Sequence, residues 1–332
     1  MSKIPLVYIL IMNCNGKEYL KKCISSVINQ SYRNLKIVFI DNHSSDGSVE
    51  FVKSNFKKFK KSGKLQIIAN KKNYGYAEGN NIGFRHALKN EKTKYIAVLN
   101  NDTVVENNWL NEMVISAEAD KNIGSCACKT IVYDNRSILE TAGILIYKNC
   151  SGVGRGLGEP VKKYSKKDEV FGAYGAAALY RREMLEDIKI GKDYFDSDYF
   201  IYQEEFDLSW RSLIRGWKCI FVPNAKVYHI CSAFGRTMPN RVKYLLERNR
   251  IWTIIKNLQR GLFFYCLPHI IIYEFATIPF YMKKRQLGIV IRARFDSLKS
   301  IGKFLVKRRY IQKNVKISPC EMKRYMKNRN YW

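Results

Sequence analysis

The sequence predicts an α/β protein on a doubly wound, mostly parallel sheet, followed by a helical, membrane-associated C-terminal region. Within the first 120 residues, apolar runs of strand length alternate four times with helical spacing. Acidic and amide side chains stand directly after those runs, at Asp41 and at Asn100-Asn101-Asp102. The charge balance also changes along the chain. Of 58 basic and 29 acidic residues, 22 basic but only four acidic ones fall between Arg241 and Trp332.

Leu6 to Ile11 is a continuous apolar run, as expected of a parallel strand covered on both faces. Glu18 to Asn29 carries Leu20, Cys23, Ile24, Val27 and Ile28 at helical spacing. Leu35 to Ile40 is a second strand, and Ser44-Ser45-Asp46-Gly47-Ser48 supplies turn and capping residues before a helix through Val49, Val52 and Phe56. Leu65 to Ala69 is the third strand, Ala77 to Leu88 a helix, and Tyr95 to Leu99 the fourth strand. Shorter strands and a Gly-rich connection (Gly152 to Gly158) follow, and helical spacing resumes from Glu204 to Leu213. Ligands of such sheets bind beyond the carboxyl ends of the strands, the edge that Asp41 and Asn100 to Asp102 occupy.

Gly261 to Met282 is 22 residues long and mostly apolar, a length that suits a membrane span. Pro268, Pro279 and Glu274 lie inside it, and Lys256, Arg260, Lys283, Lys284 and Arg285 flank it on both sides. A re-entrant or interfacial helical pair, with both ends on the cytoplasmic side, fits that pattern better. Ile289 to Tyr310 then reads as basic amphipathic helices that bind an anionic membrane surface, at roughly 1 kcal/mol per basic residue. A buried helix with a solvated basic tail is the plainer alternative. No DNA- or RNA-binding motif is present, so nucleic acid is not expected as a partner. The nine cysteines form no C-x-x-C pair, and Cys126, Cys128, Cys219, Cys231 and Cys266 lie in apolar runs, as buried thiols of a reducing compartment do. The N-terminus enters a strand without a leader pattern, and a cytoplasmic location follows, peripheral or monotopic on the membrane.

A carboxylate in the turn after a buried strand, such as Asp102, can hold Mg2+ or Mn2+, which prefer hard oxygen ligands and bridge to diphosphates. Asn and Asp are equally common turn formers, so the triplet is informative only in company. Glu204-Glu205-Phe206-Asp207 opens a helix, where the dipole favours acids in any case. Asp207 is placed to pair with Arg211 at i+4.

The company is extensive. Asn13-x-Asn15, Ile40-Asp41-Asn42-x-Ser44-x-Asp46-Gly47-Ser48, Asn73-x-Gly75-Tyr76-Ala77-x-Gly79-Asn80-Asn81-x-Gly83 and Leu99-Asn100-Asn101-Asp102-Thr103 resemble the family 2 glycosyltransferases, in a rhamnosyltransferase-like branch of surface polysaccharide synthesis. Gly175 to Glu183, Phe195-Asp196, Tyr202-x-Glu204-Glu205-x-Asp207-Leu208-x-Trp210-Arg211 and His229 keep the family's order, so the resemblance covers about residues 4 to 257. It implies a GT-A fold, a UDP- or dTDP-sugar donor, a glycan or lipid-linked acceptor, and inversion at the anomeric carbon. The change of character at Arg241 and of strand pattern after Ile123 would make residues 1–240 the catalytic domain, its nucleotide-binding half ending near 120 and its acceptor half spanning 121–240. Residues 241–332 form the basic region.

Carried over by position, Asp41 would accept from the imide of uracil or thymine, and Asn13, Asn15, Asn73 and Asn81 would line the nucleotide cleft. Asn100 and Asn101 would orient nucleotide oxygens. Asp102 and His229, the latter ahead of Ser232 and the Arg236 segment, would meet the Mg2+ or Mn2+. Glu205 would be the general base, with Glu204 positioning hydroxyl groups. The chain departs from the family by carrying Glu rather than Asp at 205, and by having Asp102 as the single charged residue of the metal turn. Arg248-Asn249-Arg250 could meet phosphate or lipid head groups, or form a solvated helix face. A nucleotidyltransferase on a related sheet would need phosphate-cradling glycines or a lysine after the first strand, where Asn13-Cys14-Asn15-Gly16-Lys17 offers one of each. A non-catalytic basic scaffold would leave carboxylates at successive strand ends unexplained.

Overall fold

A computed structural model describes residues 4–230 and 239–329. β1 (Leu6–Asn13), α1 (Lys17–Ile28), β2 (Leu35–Asp41), α2 (Ser48–Asn55), α3 (Lys57–Lys61), β3 (Leu65–Ala69), α4 (Gly75–Leu88) and β4 (Thr93–Asn100) form the first half. Next come β5 (Thr103–Val105), α5 (Trp109–Glu118), β6 (Ile123–Val132), β7 (Leu139–Thr141), β8 (Ile144–Tyr147), β9 (Gly152–Gly154) and β10 (Asp168–Val170). β11 (Ala177–Arg181), α6 (Arg182–Ile188), α7 (Glu204–Ile214) and β12 (Lys218–His229) complete the sheet layer. The rest is helical, α8 (Asn240–Asn257), α9 (Phe263–Lys283), α10 (Leu287–Lys299), α11 (Ile301–Gln312) and α12 (Pro319–Tyr325), with a terminal β13 (Met326–Lys327).

The main sheet runs β10-β12-β6-β11-β4-β1-β2-β3, with β5 on β12 and β7 on β6. β3, β2, β1 and β4 are mutually parallel, β11 is antiparallel to both β4 and β6, and β12 is parallel to β6. All strands but the short ones and β11 therefore point the same way, and their carboxyl ends share one edge. A second, three-stranded sheet of β13, β8 and β9 stands apart.

Period-two alternation divides each central strand between two cores. Val7, Ile9 and Ile11 of β1 join Leu20, Trp109 and Met113 on one face, while Tyr8, Leu10 and Met12 join Phe84, Tyr180 and Phe195 on the other. Burial on both faces explains why these strands read as unbroken apolar runs. Of the cysteines expected inside, Cys126, Cys128, Cys219 and Cys266 are buried, and Cys231 lies outside the described residues.

The C-terminal helices are fused to this body. Leu262 and Cys266 near the start of α9, Ile311 of α11 and Met322 of α12 share a core with Phe206 and Trp210 of α7. Lys256 of α8 is fully buried between Asp196 (2.5 Å) and Asp207 (2.8 Å), and Lys307 of α11 reaches Asp196 at 2.5 Å. Burial alone would push both carboxyls up. The ammonium charges of Lys256 and Lys307 at Asp196, and of Lys256 with Arg211 at Asp207, outweigh it and hold them below the usual aspartate range.

Arg260–Lys283 is the one helix among the described residues long and apolar enough to cross a membrane, with a mean hydropathy of 1.5. The sequence expectation of a re-entrant pair is corrected here. α9 continues through both Pro268 and Pro279, because each proline removes one i→i−4 hydrogen bond and packing of Cys266, Tyr273 and Tyr281 holds the helix together. In the triplet Arg248-Asn249-Arg250, the last two residues form neither a solvated face nor a head-group contact, while Arg248 is half-buried. Asn249 and Arg250 are buried, and Arg250 pairs with Glu274 of α9.

Removing one partner of a buried charge cluster leaves the others uncompensated, at about 3–5 kcal/mol. Lys256→Met should lower the unfolding free energy of the full chain by about that amount in a urea titration; a loss below about 1 kcal/mol would show that the cluster contributes little.

Candidate active site

Parallel pairing sets the strand-end residues in a row: Asn13 lies opposite Asp41, and Met12 opposite Asn100. Asn13 Nδ2 donates to Asp41 Oδ1 at 2.8 Å, and the Ser44 backbone N–H and hydroxyl donate to the same carboxylate at 2.9 and 2.6 Å. Asn101 Nδ2 donates to Asn13 Oδ1 at 2.5 Å. That closure depends on Gly16, where an added Cβ would stand 1.9 Å from the Asn101 amide nitrogen. Asn15, at φ +53°, accepts from the Ser45 N–H at 2.8 Å and so pins the turn after β2. Asn42 Nδ2 donates to Asn73 Oδ1 and to the Gly75 carbonyl at 2.9 and 3.0 Å. Gly75 is at φ +80°, and a side chain there would strike the Phe200 carbonyl. Asn100 presents a buried Oδ1 without a hydrogen-bond partner.

Asp102 follows β4, and His229 ends β12 on the same edge. His229 Nε2 faces Asp102 Oδ1 at 3.2 Å, and Nδ1 faces Glu140 Oε2 of β7 at 2.7 Å. Burial pushes the imidazole pKa down, but hydrogen bonds to Asp102 and Glu140 and their charges outweigh it and hold it at about 10. The ring is then an imidazolium donating to both carboxylates. The same arrangement suits a divalent cation. A carboxylate on Nδ1–H orients a metal-binding histidine, and two ligands about 2.1 Å from one ion stand about 3 Å apart when at right angles. No group of three or more His, Cys, Asp or Glu arranged to hold a metal occurs among the described residues. Asp102 and His229 therefore fit a cation whose remaining ligands come from a bound diphosphate or water.

Glu204 and Glu205 open α7. Each has one buried carboxylate oxygen with no hydrogen-bond partner among the described residues. Burial raises both pKa values, and at Glu204 the Glu205 charge raises it further, so the pair resists carrying two negative charges at once. One turn on, Asp207 is neutralised by Arg211 at 2.9 Å, the i+4 pair expected from sequence. The approach to α7 is strained: Phe200, Tyr202 and Gln203 all have positive φ, at 65°, 72° and 74°. Such backbone costs of order 1–3 kcal/mol per residue and persists only when its surroundings impose it. Here Asn249 of α8 imposes it, its Nδ2 donating to the carbonyls of Tyr199, Ile201 and Tyr202 at 3.1, 3.0 and 2.8 Å.

The segment 174–176 connects the two acidic groups. An added Cβ at Gly175 would meet Glu205 Cδ at 3.6 Å, and the Ala176 carbonyl accepts from the Asn100 N–H at 2.9 Å. Burial first, then the charges of Glu140, Glu205 and Glu204, push the Tyr174 phenol far up.

Asn13, Asp41, Asn100, Asn101, Asp102 and His229 thus share one edge, with Asn15 and Asn73 on its exposed rim and Glu204 and Glu205 across segment 174–176. Asn81 does not join them. It is fully buried, accepting from the Tyr194 and Phe195 N–H groups at 3.1 and 2.9 Å and donating to the Phe195 carbonyl at 2.8 Å. Its amide ties α4 to the 194–195 segment rather than lining a nucleotide cleft. Sequence reasoning missed Glu140, lone in its segment, and named Asn249 only within the Arg248-Asn249-Arg250 triplet, without its role at the 199–202 carbonyls. Ser232 and Arg236 lie outside the described residues.

The chain is 31% identical over 155 residues to an uncharacterised glycosyltransferase of Haemophilus influenzae, covering 46% of this chain and 42% of that one. It is 21% identical over 255 residues to the poly-beta-1,6-N-acetyl-D-glucosamine synthase of Staphylococcus epidermidis, covering 75% of this chain and 57% of the synthase. The chain thus spans less than half the length of the Haemophilus relative. Among solved structures it resembles GalNAc-T7 with UDP, GalNAc and Mn2+ (TM-score 0.63, 18% identity, 93% of this chain and 57% of that one). It also resembles S. aureus TarS 1–349 in complex with UDP-GlcNAc (TM-score 0.59, 12% identity, 93% and 90%). The architecture is the GT-A fold. The model of the family described as glycosyl transferase family 2 matches residues 8–189, just over half of the chain, and this protein is a member of that family.

Proposed function

We propose that the protein is an inverting glycosyltransferase that moves a sugar from a UDP- or dTDP-linked donor to a hydroxyl of a glycan, one carried on a lipid at the cytoplasmic face of a membrane. The observation that carries this reading is the Glu204–Glu205 pair, Glu204 buried and Glu205 half-buried, with no counter-ion among the described residues and one short segment away from the Asp102–His229 edge. Structural relatives solved with UDP or UDP-GlcNAc and with Mn2+ support a nucleotide-sugar donor and a divalent cation, Mn2+ or Mg2+.

The nucleotide lies against the strand ends, its base within reach of Asp41 and its phosphates beside Asn100 and Asn101. Asp102 and His229 hold the cation. When bound, the cation supplies charge neutralisation at the departing diphosphate. Glu205 accepts the proton of the acceptor hydroxyl as its oxygen bonds to the anomeric carbon from the opposite face; the bond to the diphosphate breaks, and its electron pair leaves with the nucleotide. Glu204, protonated, donates a hydrogen bond to acceptor or donor hydroxyls. Asn249 acts at one remove, fixing the backbone from which both glutamates project. Membrane association is supported by exposed apolar side chains on α9 to α11, among them Phe264 (82% exposed) and Phe275 (69%), interspersed with basic residues.

Only ligands that bind the native state stabilise it. UDP or dTDP with Mn2+ should raise the melting temperature of the wild type, and Asp102→Asn should abolish the Mn2+-dependent part. No shift with either nucleotide would remove the donor assignment.

Glu205→Gln should lower kcat by about 10²–10⁴-fold with nucleotide binding retained. Glu204→Gln, which mimics the protonated side chain, should stay within about tenfold. A base must be ionised to act, so wild-type activity should rise with pH through an acid limb lying above the usual glutamate value of 4.5. Equal losses in both variants would contradict the division of roles.

Asn249→Ala should lower kcat more than it raises the donor KM, and should shift that acid limb as the glutamates change position. An unchanged pH profile with a lowered melting temperature would reduce Asn249 to a structural residue.

A further inference from the structure

Two cavities adjoin between α8, α9 and α11. One, of about 620 Å³, is lined by Gln259, Arg260, Arg308, Arg309, Gln312 and Lys313. The other, of about 500 Å³, is lined by Ile254, Ile255, Leu258, Phe263, Phe264 and Ile301. Arg260, Leu305 and Arg308 line both, so they form one groove, cationic at one end and apolar at the other. Along α11, Ile301, Leu305, Arg308, Arg309 and Gln312 follow helical spacing over about 16 Å, with the change from apolar to basic midway.

Most cations of neighbouring surfaces are committed: Arg294 pairs with Glu274 at 2.5 Å, Lys303 with Asp198 at 2.5 Å, and Lys307 with Asp196 and Asp198. Those of the groove are not. Arg260, Arg308, Arg309 and Lys313 have no ion-pair partner among the described residues, and no acid lines either cavity. Arg308 donates to the Ile255 carbonyl at 2.7 Å, and burial and then the adjacent Arg260 charge push its pKa down. Concentrated, uncompensated positive charge calls for an anion. A free phosphate would satisfy only the basic end, whereas the contiguous apolar end, with Phe264 and Leu305 exposed, accepts a hydrocarbon chain joined to that phosphate.

We propose that this groove binds an anionic phospholipid of the membrane, its phosphate among Arg260, Arg308, Arg309 and Lys313 and one hydrocarbon chain along Ile254, Leu258, Phe263 and Leu305. The inference rests on the membrane-associated reading and adds to it a defined, saturable lipid site.

Titration calorimetry of the full chain with dihexanoyl phosphatidylglycerol below its micelle concentration tests it. Saturable binding is expected, with dihexanoyl phosphatidylcholine and inorganic phosphate each at least tenfold weaker. The double variant Arg309→Gln/Lys313→Gln removes exposed side chains only, and should weaken phosphatidylglycerol binding at least tenfold. A second variant, Leu305→Asn at the apolar end, should weaken the lipid but not inorganic phosphate. Equal affinity for phosphatidylcholine or phosphate, or no effect of either variant, overturns the groove. Sedimentation with phosphatidylglycerol vesicles separates the two levels. Vesicle binding without short-chain binding sinks the groove alone, and failure of the wild type to sediment sinks the membrane reading too.

Discussion

The arrangement of this molecule turns on Lys256. Its ammonium is enclosed between Asp196, just before the strained 200–203 segment, and Asp207, one turn into α7. A charge so completely removed from water is tolerable only because both carboxylates and their own partners, Arg211, Lys307 and Asn257, complete the network. The network fixes α8 against α7. From that fixed position Asn249 can reach the three loop carbonyls, and the loop can hold a backbone that its own residues disfavour.

Two kinds of acid are thereby kept apart within one helix. Asp207 is matched with cations and stays ionised at little cost. Glu204 and Glu205, a single turn earlier, have no paired cation among the described residues, and desolvation raises their pKa values. At the sheet edge the opposite solution is used, with His229 between Asp102 and Glu140, a charge that a metal ion can replace.

Much of this can be read from the chain without its structure. Strands buried on both faces advertise themselves as unbroken apolar runs, so β1 to β4 and their terminal Asp and Asn residues are placed within a residue or two. The i+4 spacing of Asp207 and Arg211 specifies their pairing. What does not show is whatever depends on distant partners. Asn81 sits in a motif with Asn73, yet its amide is consumed by backbone more than a hundred residues away. Glu140 lies on a three-residue strand with no local pattern, and only its distance from His229 reveals it. Asn249 hides within a basic triplet that suggests a surface, because helical spacing alone does not say which face meets another helix. The two prolines of α9 suggest a break that tertiary packing overrides.

Because α9, α11 and α12 share a core with α7, the apolar helices form a rigid mount rather than a tethered anchor. On a bilayer, such a mount sets both the height and the tilt of the cleft. Under the proposed function, such a mount would measure acceptors: a glycan stem too short to climb to the carboxylates, or too long to present its end there, would go unmodified whatever its terminal sugar.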